Sequence, residues 1–214
     1  MTAMNTGTLA VIGVSSLAAI ALAAAPLAGL KVGSKAPALS LESFVQGEEV
    51  KEFQAGTPYV IEFWATWCPP CVASVPHLNQ LQKEHPEVVF IGVAGSQREE
   101  TPEAKAAKVK SFVESRGENM TYRVAMDNDG SMSKEWMQAA QMQGIPCAFV
   151  VDGKGKVTFI GHPQDKGFES AVEKAAKGAK KKPAKKPADD AGDDKPADGD
   201  DAAPAGGTTD KKPG

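Results

Sequence analysis

The sequence contains little cysteine: its 214 residues include three, too few for the disulfide framework that stabilises small secreted domains. It also lacks a strong excess of either charge. Its formal net charge is −3 at neutral pH, so no basic surface that would favour nucleic acid is predicted. A zinc site is not predicted either, because no second C-x-x-C and no H-x₃-H pair accompanies Cys68 and Cys71. We accordingly expect a protein without a resident metal or organic cofactor.

An uncharged run, LAVIGVSSLAAIALAAAPLA, extends from residue 9 to residue 28. Its length, its position and an A-x-A pattern at residues 21–23 are typical of an export signal or an N-terminal membrane anchor. The usual basic residues before such a run are missing, and a buried alanine-rich helix is the alternative. No cysteine lies nearby, which argues against a lipid-modified anchor. Residues 1–30 are therefore predicted to be a signal peptide or membrane anchor, and the protein to be extracytoplasmic, in the periplasm or cell envelope.

The C-terminal segment, residues 178–214, lacks aromatic residues and also isoleucine, leucine, valine and methionine. It contains eight lysines and eight aspartates, together with proline and alanine. Because this composition cannot bury a hydrophobic core, a disordered tail is predicted. A solubilising spacer and a weak electrostatic tether through the lysine block are the two roles considered. Residues 31–177 remain as the single folded domain.

Within that domain, residues 58–76 read PYVIEFWATWCPPCVASVP. An apolar strand leads into Cys68 and Cys71, which two prolines separate, and a helix follows. Free N–H groups and the positive dipole end of a helix favour an anion, so the pKa of the first thiol should be lowered and its nucleophilic thiolate favoured. The two prolines donate no N–H, which limits this effect. C-x-x-C beside a βαβ pattern predicts a redox-active disulfide, with a purely structural disulfide as the alternative.

Glu62 interrupts the apolar strand six residues before Cys68. A carboxyl in a buried strand is costly unless it has a task or a partner, and burial would raise its pKa. Such a group beneath a dithiol can accept or donate the proton that disulfide exchange requires. A solvent-facing side chain and a structural ion pair with a lysine are the alternatives.

The predicted order of elements from residue 58 is β-α-β-α-β-α-β-β-α, an α/β sandwich with a parallel part and a hairpin at one edge. Thr101 is predicted to cap the second helix and Gly117 to end it, and Ser131 to cap the third helix. A weak hairpin around residues 46–47, formed by residues 39–41 and 49–51, is predicted to extend the sheet. The other strands are predicted at residues 59–64, 88–94, 122–126, 148–152 and 156–160, and the other helices at 72–83, 132–142 and 166–177.

The motifs FWATWCPPC at residues 63–71 and GIP at residues 144–146 resemble the thioredoxin fold. More closely, they resemble the TlpA/ResA/DsbE-like group of exported thiol-disulfide oxidoreductases. The helix proline Pro76, the segment AFVVDGKGKV and the pair Ala36-Pro37 fit the same group. The resemblance covers about residues 31–177. It implies a thioredoxin-like α/β fold, a central mixed sheet flanked by helices, with the N-terminal hairpin as an extension.

The resemblance also implies a role for each matching residue. Cys68 matches the exposed nucleophile and Cys71 the resolving thiol, so the two form the redox-active disulfide. Pro146 matches the cis-proline that faces the dithiol and offers its backbone to an incoming chain. Glu62 matches a position where many thioredoxins hold a buried acid.

The surface expected to bind the substrate comprises Trp67, Pro69, Ile145 and Cys147. Cys147 departs from the family pattern, because a threonine commonly follows the cis-proline. If the fold is as implied, this third thiol lies close to Cys68 and Cys71. It is then an inert small residue, a participant in exchange with Cys68, or the third ligand of a soft metal such as Cu(I).

The function that the resemblance favours is exchange, with net reduction, of disulfides in a client protein. A membrane-linked thiol reductant is the expected electron source. A copper-binding or assembly protein that uses Cys68, Cys71 and Cys147 as ligands is the alternative. A peroxiredoxin is not predicted, because that group needs a threonine or serine three residues before its cysteine and this chain has Ala65 there.

Overall fold

Six strands form one mixed sheet in the computed structural model, which describes residues 29–180. In chain order they are β1 (Ser43–Gln46), β2 (Tyr59–Phe63), β3 (Val89–Ala94), β4 (Arg123–Met126), β5 (Cys147–Val151) and β6 (Val157–Gly161). Their order across the sheet is β1-β4-β3-β2-β5-β6. The central strands β2, β3 and β4 are parallel, whereas β1, β5 and β6 are antiparallel to their neighbours. The predicted sandwich with a parallel part and an edge hairpin is confirmed.

Three α-helices connect and flank these strands: α1 (Pro69–Glu84), α2 (Pro102–Arg116) and α3 (Phe168–Lys177). The helix α2 begins and ends where its sequence predicts. The Thr101 hydroxyl accepts a hydrogen bond from the Ala104 N–H at 3.2 Å, and Pro102 occupies the first turn, where its missing N–H costs nothing. Gly117 ends the helix with a positive φ of 48°, a conformation that glycine adopts without a steric penalty.

The sheet has a hydrophobic core on each face, which explains why all five residues of β2 are buried. Successive side chains of a strand point to opposite faces. Val60 therefore packs with α1, α2 and α3 on one face, which we call the helical face. Ile61 and Phe63 pack on the other face against the N-terminal segment and Trp136.

The third predicted helix differs from the expectation. Residues 133–138 form a π-helical segment, Ser133–Gln138, rather than an α-helix over residues 132–142. Ser131 does not cap it. The Asp127 carboxylate accepts hydrogen bonds from the N–H groups of Met132 and Ser133 at 3.0 and 2.9 Å, and from the Ser133 hydroxyl at 2.8 Å. The cap therefore comes from the residue after β4, and the Ser131 hydroxyl donates instead to the Ser40 carbonyl at 3.3 Å.

The predicted N-terminal hairpin does not form. Residues 39–41 and 49–51 are not strands, and the single strand β1 pairs antiparallel with β4 at the edge of the sheet. The Gln46 amide donates to the carbonyls of Met120 and Tyr122 at 2.8 and 2.7 Å. The β1 segment therefore pairs with β4, a strand far away in the sequence. The turn signal at residues 46–47 predicted the wrong pairing.

Both ends of the described region are bonded to the domain. The Leu30 N–H donates to the Ala139 carbonyl at 2.7 Å, and the Lys180 N–H donates to the Gly56 carbonyl at 2.9 Å. The predicted export segment or anchor at residues 9–28 lies outside the described residues, as does the predicted tail from residue 181 onward. Within residues 29–180 no helix is both long enough and apolar enough to cross a membrane.

Candidate active site

Cys68 and Cys71 form a disulfide at the start of α1. Cys68 is the N-cap of the helix, with extended backbone angles, and its Sγ lies 3.3 Å from the Cys71 N–H, which points at it. Pro69 and Pro70 occupy the next two positions and are exposed. Because neither proline has an N–H, the Cys71 N–H is the backbone donor of the first turn that stabilises negative charge on the Cys68 sulfur.

The resemblance implies that the nucleophile Cys68 is exposed, but its side chain is almost fully buried. The side chain of Cys68 is 3% exposed and that of Cys71 is 1% exposed. Cys68 nevertheless lines an open groove, so a partner sulfur must enter that groove to reach it. Cys71 lies deeper, under the first turn of α1, as a resolving thiol would.

The loop before β5 faces the disulfide. The Ile145–Pro146 peptide bond is cis, and the Ile145 carbonyl oxygen lies 3.7 Å from the Sγ of Cys68. Pro146 itself is buried, whereas Ile145 and Gly144 line the groove. The polar backbone next to the sulfur is therefore that of Ile145.

The groove beside Cys68 has a volume of about 570 Å³ and contains no charged side chain. Trp67, Pro69 and Ile145, three of the predicted substrate-binding residues, line it. The π-helical segment and the loop after it supply the opposite wall, including Met137 and Met142. Methionine side chains adapt their shape to irregular partners, so this wall suits segments of differing sequence.

Three successive residues after β3 hold the segment that precedes Cys68. The Ser96 carbonyl accepts a hydrogen bond from the Trp67 indole N–H at 2.7 Å. The Gln97 side-chain oxygen accepts from the Thr66 hydroxyl at 2.8 Å and from the Thr66 N–H at 3.4 Å. The Arg98 guanidinium lies 3.8 Å from the centre of the Trp67 ring.

We call Ser96, Gln97 and Arg98 the clasp. Sequence reasoning assigned this stretch no role. One signal was available: β2 and β3 are neighbouring apolar strands, and residues that follow the carboxyl ends of parallel strands meet at one edge of the sheet.

Glu62 is 2% exposed, on the helical face of β2 between Gly92 of β3 and Ala148 of β5. Burial raises its pKa from 4.5 to about 8. Within residues 29–180 it has no ion-pair partner, and its Oε1 accepts no hydrogen bond. The solvent-facing and ion-paired alternatives are therefore both wrong, and a buried, largely protonated carboxyl is what the site holds at neutral pH.

Cys147 is fully buried and packs with Phe63 and Phe149, on the face of the sheet opposite the helical face. Cys68 and Cys71 belong to the core of the helical face, so the side chain of the third thiol lies on the other face of the sheet from theirs. Burial raises the pKa of Cys147 to about 12; the hydrogen bond from the Gly161 N–H lowers it by less, and the carboxylates of Glu62 and Asp165 add to the rise. A thiol in this state is a poor nucleophile.

The copper alternative has no structural support. Among residues 29–180, no three side chains of histidine, cysteine, aspartate or glutamate are placed to hold a metal ion. Cys147 also does not line the groove, so its predicted part in substrate binding is not supported either. The arrangement favours the interpretation of Cys147 as a small core residue.

The family model Redoxin matches residues 31–177. The chain belongs to the Redoxin family. This Redoxin is 32% identical to Protein FixW of Rhizobium leguminosarum over 134 residues, which are 62% of this chain and 61% of FixW. It is 30% identical to the thiol:disulfide interchange protein DsbE of Haemophilus influenzae over 130 residues, which are 60% of this chain and 64% of DsbE. The chain thus spans about three fifths of the length of these curated relatives.

A solved structure agrees with the fold. The crystal structure of a thiol:disulfide interchange protein, thioredoxin family protein, from Chlorobium tepidum TLS is 26% identical and superimposes with a TM-score of 0.50. The match covers 67% of this Redoxin and 97% of that chain. The thioredoxin-like fold and the DsbE-like resemblance inferred from the motifs are confirmed.

Proposed function

We propose that this Redoxin is a thiol-disulfide oxidoreductase that reduces disulfides in client proteins through Cys68 and Cys71. The observation that carries the proposal is the bonded Cys68–Cys71 pair, placed at a helix N-terminus and reached through an open, uncharged groove. The names of its relatives support the same chemistry. An extended client segment fits the groove beside Trp67, Pro69 and Ile145.

The reaction begins from the reduced dithiol. The Cys68 thiolate attacks one sulfur of the client disulfide, forms a mixed disulfide and releases the other client sulfur as a thiolate. Cys71 then loses its proton and attacks the Cys68 sulfur, which closes the Cys68–Cys71 disulfide and releases the second client thiolate. Two electrons have moved from the dithiol to the client.

Glu62 supplies the proton acceptor for the second step. It lies on the face of β2 that packs against α1, the helix that carries Cys71. A carboxyl with a pKa of about 8 can both take and return a proton near neutral pH. The oxidised pair must afterwards be reduced again, and we propose a membrane-linked thiol reductant as the source of the two electrons.

The proposed location is extracytoplasmic, in the periplasm or cell envelope. The uncharged run at residues 9–28 supports export, whether it serves as a cleaved signal or a retained anchor. In an oxidising compartment the dithiol needs such a dedicated reductant to remain a net reducing agent.

Insulin reduction in the presence of a small dithiol tests the activity. Cys68→Ser should abolish the catalysed rate, whereas Cys147→Ala, a matched loss of a thiol away from the groove, should retain it. A fully active Cys68→Ser variant would overturn the proposal.

Trapping identifies the client. A Cys71→Ser variant should accumulate its client as a mixed disulfide with Cys68, released by a reducing agent. The double variant Cys68→Ser, Cys71→Ser is the control and should trap nothing. Equal capture by both variants would show that the adducts do not arise from Cys68.

A further inference from the structure

Glu62 shares its surroundings with two other buried polar groups that have no partner. The indole N–H of Trp64 and the hydroxyl of Tyr122 make no hydrogen bond within the described part of the chain, as is also true of the Oε1 of Glu62. Trp64 is 1% exposed and Tyr122 is 2% exposed. An unpaired buried polar group is destabilising, and most buried polar groups are paired.

The three groups are brought together at Gly92. In the parallel pairing of β2 with β3, Gly92 lies directly opposite Glu62. A Cβ at this position would lie 2.9 Å from the indole nitrogen of Trp64 and 3.2 Å from Cε2 of Tyr122. The missing side chain thus lets both rings pack onto the strand beside the carboxyl, with their polar atoms on the helical face.

We propose that Trp64 and Tyr122 are positioning residues for Glu62: the Trp64 indole N–H and the Tyr122 phenol O–H are the two donors to its carboxylate while Glu62 is ionised, before it accepts the proton of Cys71. This inference rests on the proposed role of Glu62 in the reaction. The proton passes from the Cys71 thiol to the Glu62 carboxylate, and Trp64 and Tyr122 keep their own protons throughout. A phenylalanine would fill the space of Tyr122 without burying an unpaired hydroxyl. A hydrogen bond from this hydroxyl to the ionised Glu62 carboxylate accounts for the presence of a tyrosine.

No other charged group competes for this role. The titratable groups whose pKa values the negative charge of Glu62 raises are Tyr122, which precedes β4, and Cys147 of β5. The neighbouring strand positions are Gly92 and Ala148, and the buried residues that α2 and α3 contribute to this face are all apolar. Cys147 is on the opposite face of β5. Burial is the single resolved cause of the raised Glu62 pKa, consistent with a protonated carboxyl that makes no bond to either donor.

The chain offers a matched control, because it has two tyrosines and both are buried. The hydroxyl of Tyr59 accepts a hydrogen bond from the Gln54 N–H at 3.0 Å, on the other face of the sheet. Tyr122→Phe and Tyr59→Phe each remove the phenol hydroxyl of a similarly buried tyrosine. Only Tyr122→Phe removes a donor beside Glu62.

The test is an NMR titration of the full-length protein, in which the side-chain carboxyl carbons of glutamate are isotopically labelled and followed as the pH changes. The Glu62 signal is identified by its absence in Glu62→Gln. Tyr122→Phe should raise the Glu62 titration midpoint by about one pH unit, since a hydrogen bond to a carboxylate is lost. Trp64→Phe should act in the same direction, and Tyr59→Phe should leave the midpoint unchanged. A wild-type midpoint in both Tyr122→Phe and Trp64→Phe would overturn the inference.

A second measurement separates positioning from a structural role. In acid, where Glu62 is protonated, Tyr122→Phe should not lower the free energy of unfolding, because its hydroxyl has no bond to lose. Tyr59→Phe should lower it, because the Gln54 N–H loses its acceptor. An equal loss in both variants would make the Tyr122 hydroxyl structural and contradict the inference. Neither measurement depends on activity. A failure of the proposed function, which an active Cys68→Ser variant would show, can therefore be told apart from a failure of this inference.

Discussion

Glu62 is the residue at which stability and activity conflict most clearly. Its neighbours in the sheet, Gly92 and Ala148, offer no polar group, and burial keeps the carboxyl protonated to about pH 8. A methionine or glutamine would fit the site without a buried ionisable group. The cost is consistent with the proposed role of Glu62 as the proton acceptor for Cys71, which requires titration near neutral pH.

Glu62→Gln should change how stability depends on pH. Between the ordinary pKa of 4.5 and the folded pKa of about 8, the unfolded chain releases the proton and the folded protein keeps it. Rising pH therefore lowers the unfolding free energy of the wild type relative to the variant, by up to about 1.4 kcal/mol per pH unit. Below and above this window the difference is constant.

Urea unfolding at pH values below, within and above that window measures the effect. Glu135→Gln, at an exposed position, is the control and should show no such slope. A pH-independent difference between the wild type and Glu62→Gln would contradict the raised pKa of the carboxyl.

Gln97 is the residue of the clasp that is hydrogen-bonded to Thr66, two residues before Cys68. Gln97→Ala removes the acceptor of both the Thr66 N–H and hydroxyl, so the segment before Cys68 should shift. We expect roughly a tenfold loss in kcat/KM for disulfide reduction, because small displacements of reacting groups are costly. Gln164→Ala, at an exposed site away from the groove, is the control, and similar rates for the two variants would remove the clasp from the mechanism.

At the scale of elements, the groove wall formed by the π-helical segment depends on the cap that the Asp127 carboxylate provides. The π-helical segment carries Met137 into the groove, and its first turn is held by the buried Asp127 carboxylate. In a π-helix the N–H groups bond to carbonyls five residues back, as in the bond from Met142 N–H to the Met137 carbonyl at 2.8 Å. Such segments depend on outside support more than α-helices do.

Asp127→Ala should lower the free energy of unfolding by about 1–3 kcal/mol, because it leaves buried N–H groups unpaired. It should also raise the KM for a client peptide, since the groove wall loses its anchor. Denaturant unfolding and steady-state kinetics measure the two effects. Asp129→Ala, which removes an exposed carboxylate that accepts from the Ser131 N–H, is the matched control and should change both values much less.

At the scale of the whole molecule, the folded unit extends slightly beyond the residues that the family model matches. Residues 31–177 carry the match, yet Leu30 is buried and bonded to Ala139, and Lys180 is bonded to Gly56. These contacts bond both ends of the described region to the domain.

A chain of residues 29–180 should therefore reduce insulin at the full-length rate, because it contains every element that lines the groove. A chain of residues 33–177 should be less stable by about 2 kcal/mol, mainly through the lost burial of Leu30. Thermal unfolding and the insulin assay compare the two. Equal melting temperatures would show that the terminal contacts contribute nothing.

From residue 58 onward, the order of the strands and of the three α-helices followed from sequence alone, as did the position of Cys68 and Cys71 at a strand-to-helix junction and the expectation of a buried acid. Local signals determine these features: an apolar run predicts a buried strand, and C-x-x-C at a strand-to-helix junction predicts where Cys68 and Cys71 lie. The resemblance carried by FWATWCPPC and GIP predicted that Pro146 would face them. Each depends on residues close together in the chain or on a motif long enough to be specific.

The tertiary structure alone decided what surrounds that pair. The clasp joins Gln97 to Thr66, Gly92 brings Tyr122 beside Glu62, and β1 pairs with β4 instead of folding back on itself. Cys147, adjacent in sequence to Pro146, points to the opposite face, because successive side chains of a strand alternate. Apart from that alternation, these contacts join residues distant in sequence, and they depend on which strands and loops the fold brings side by side.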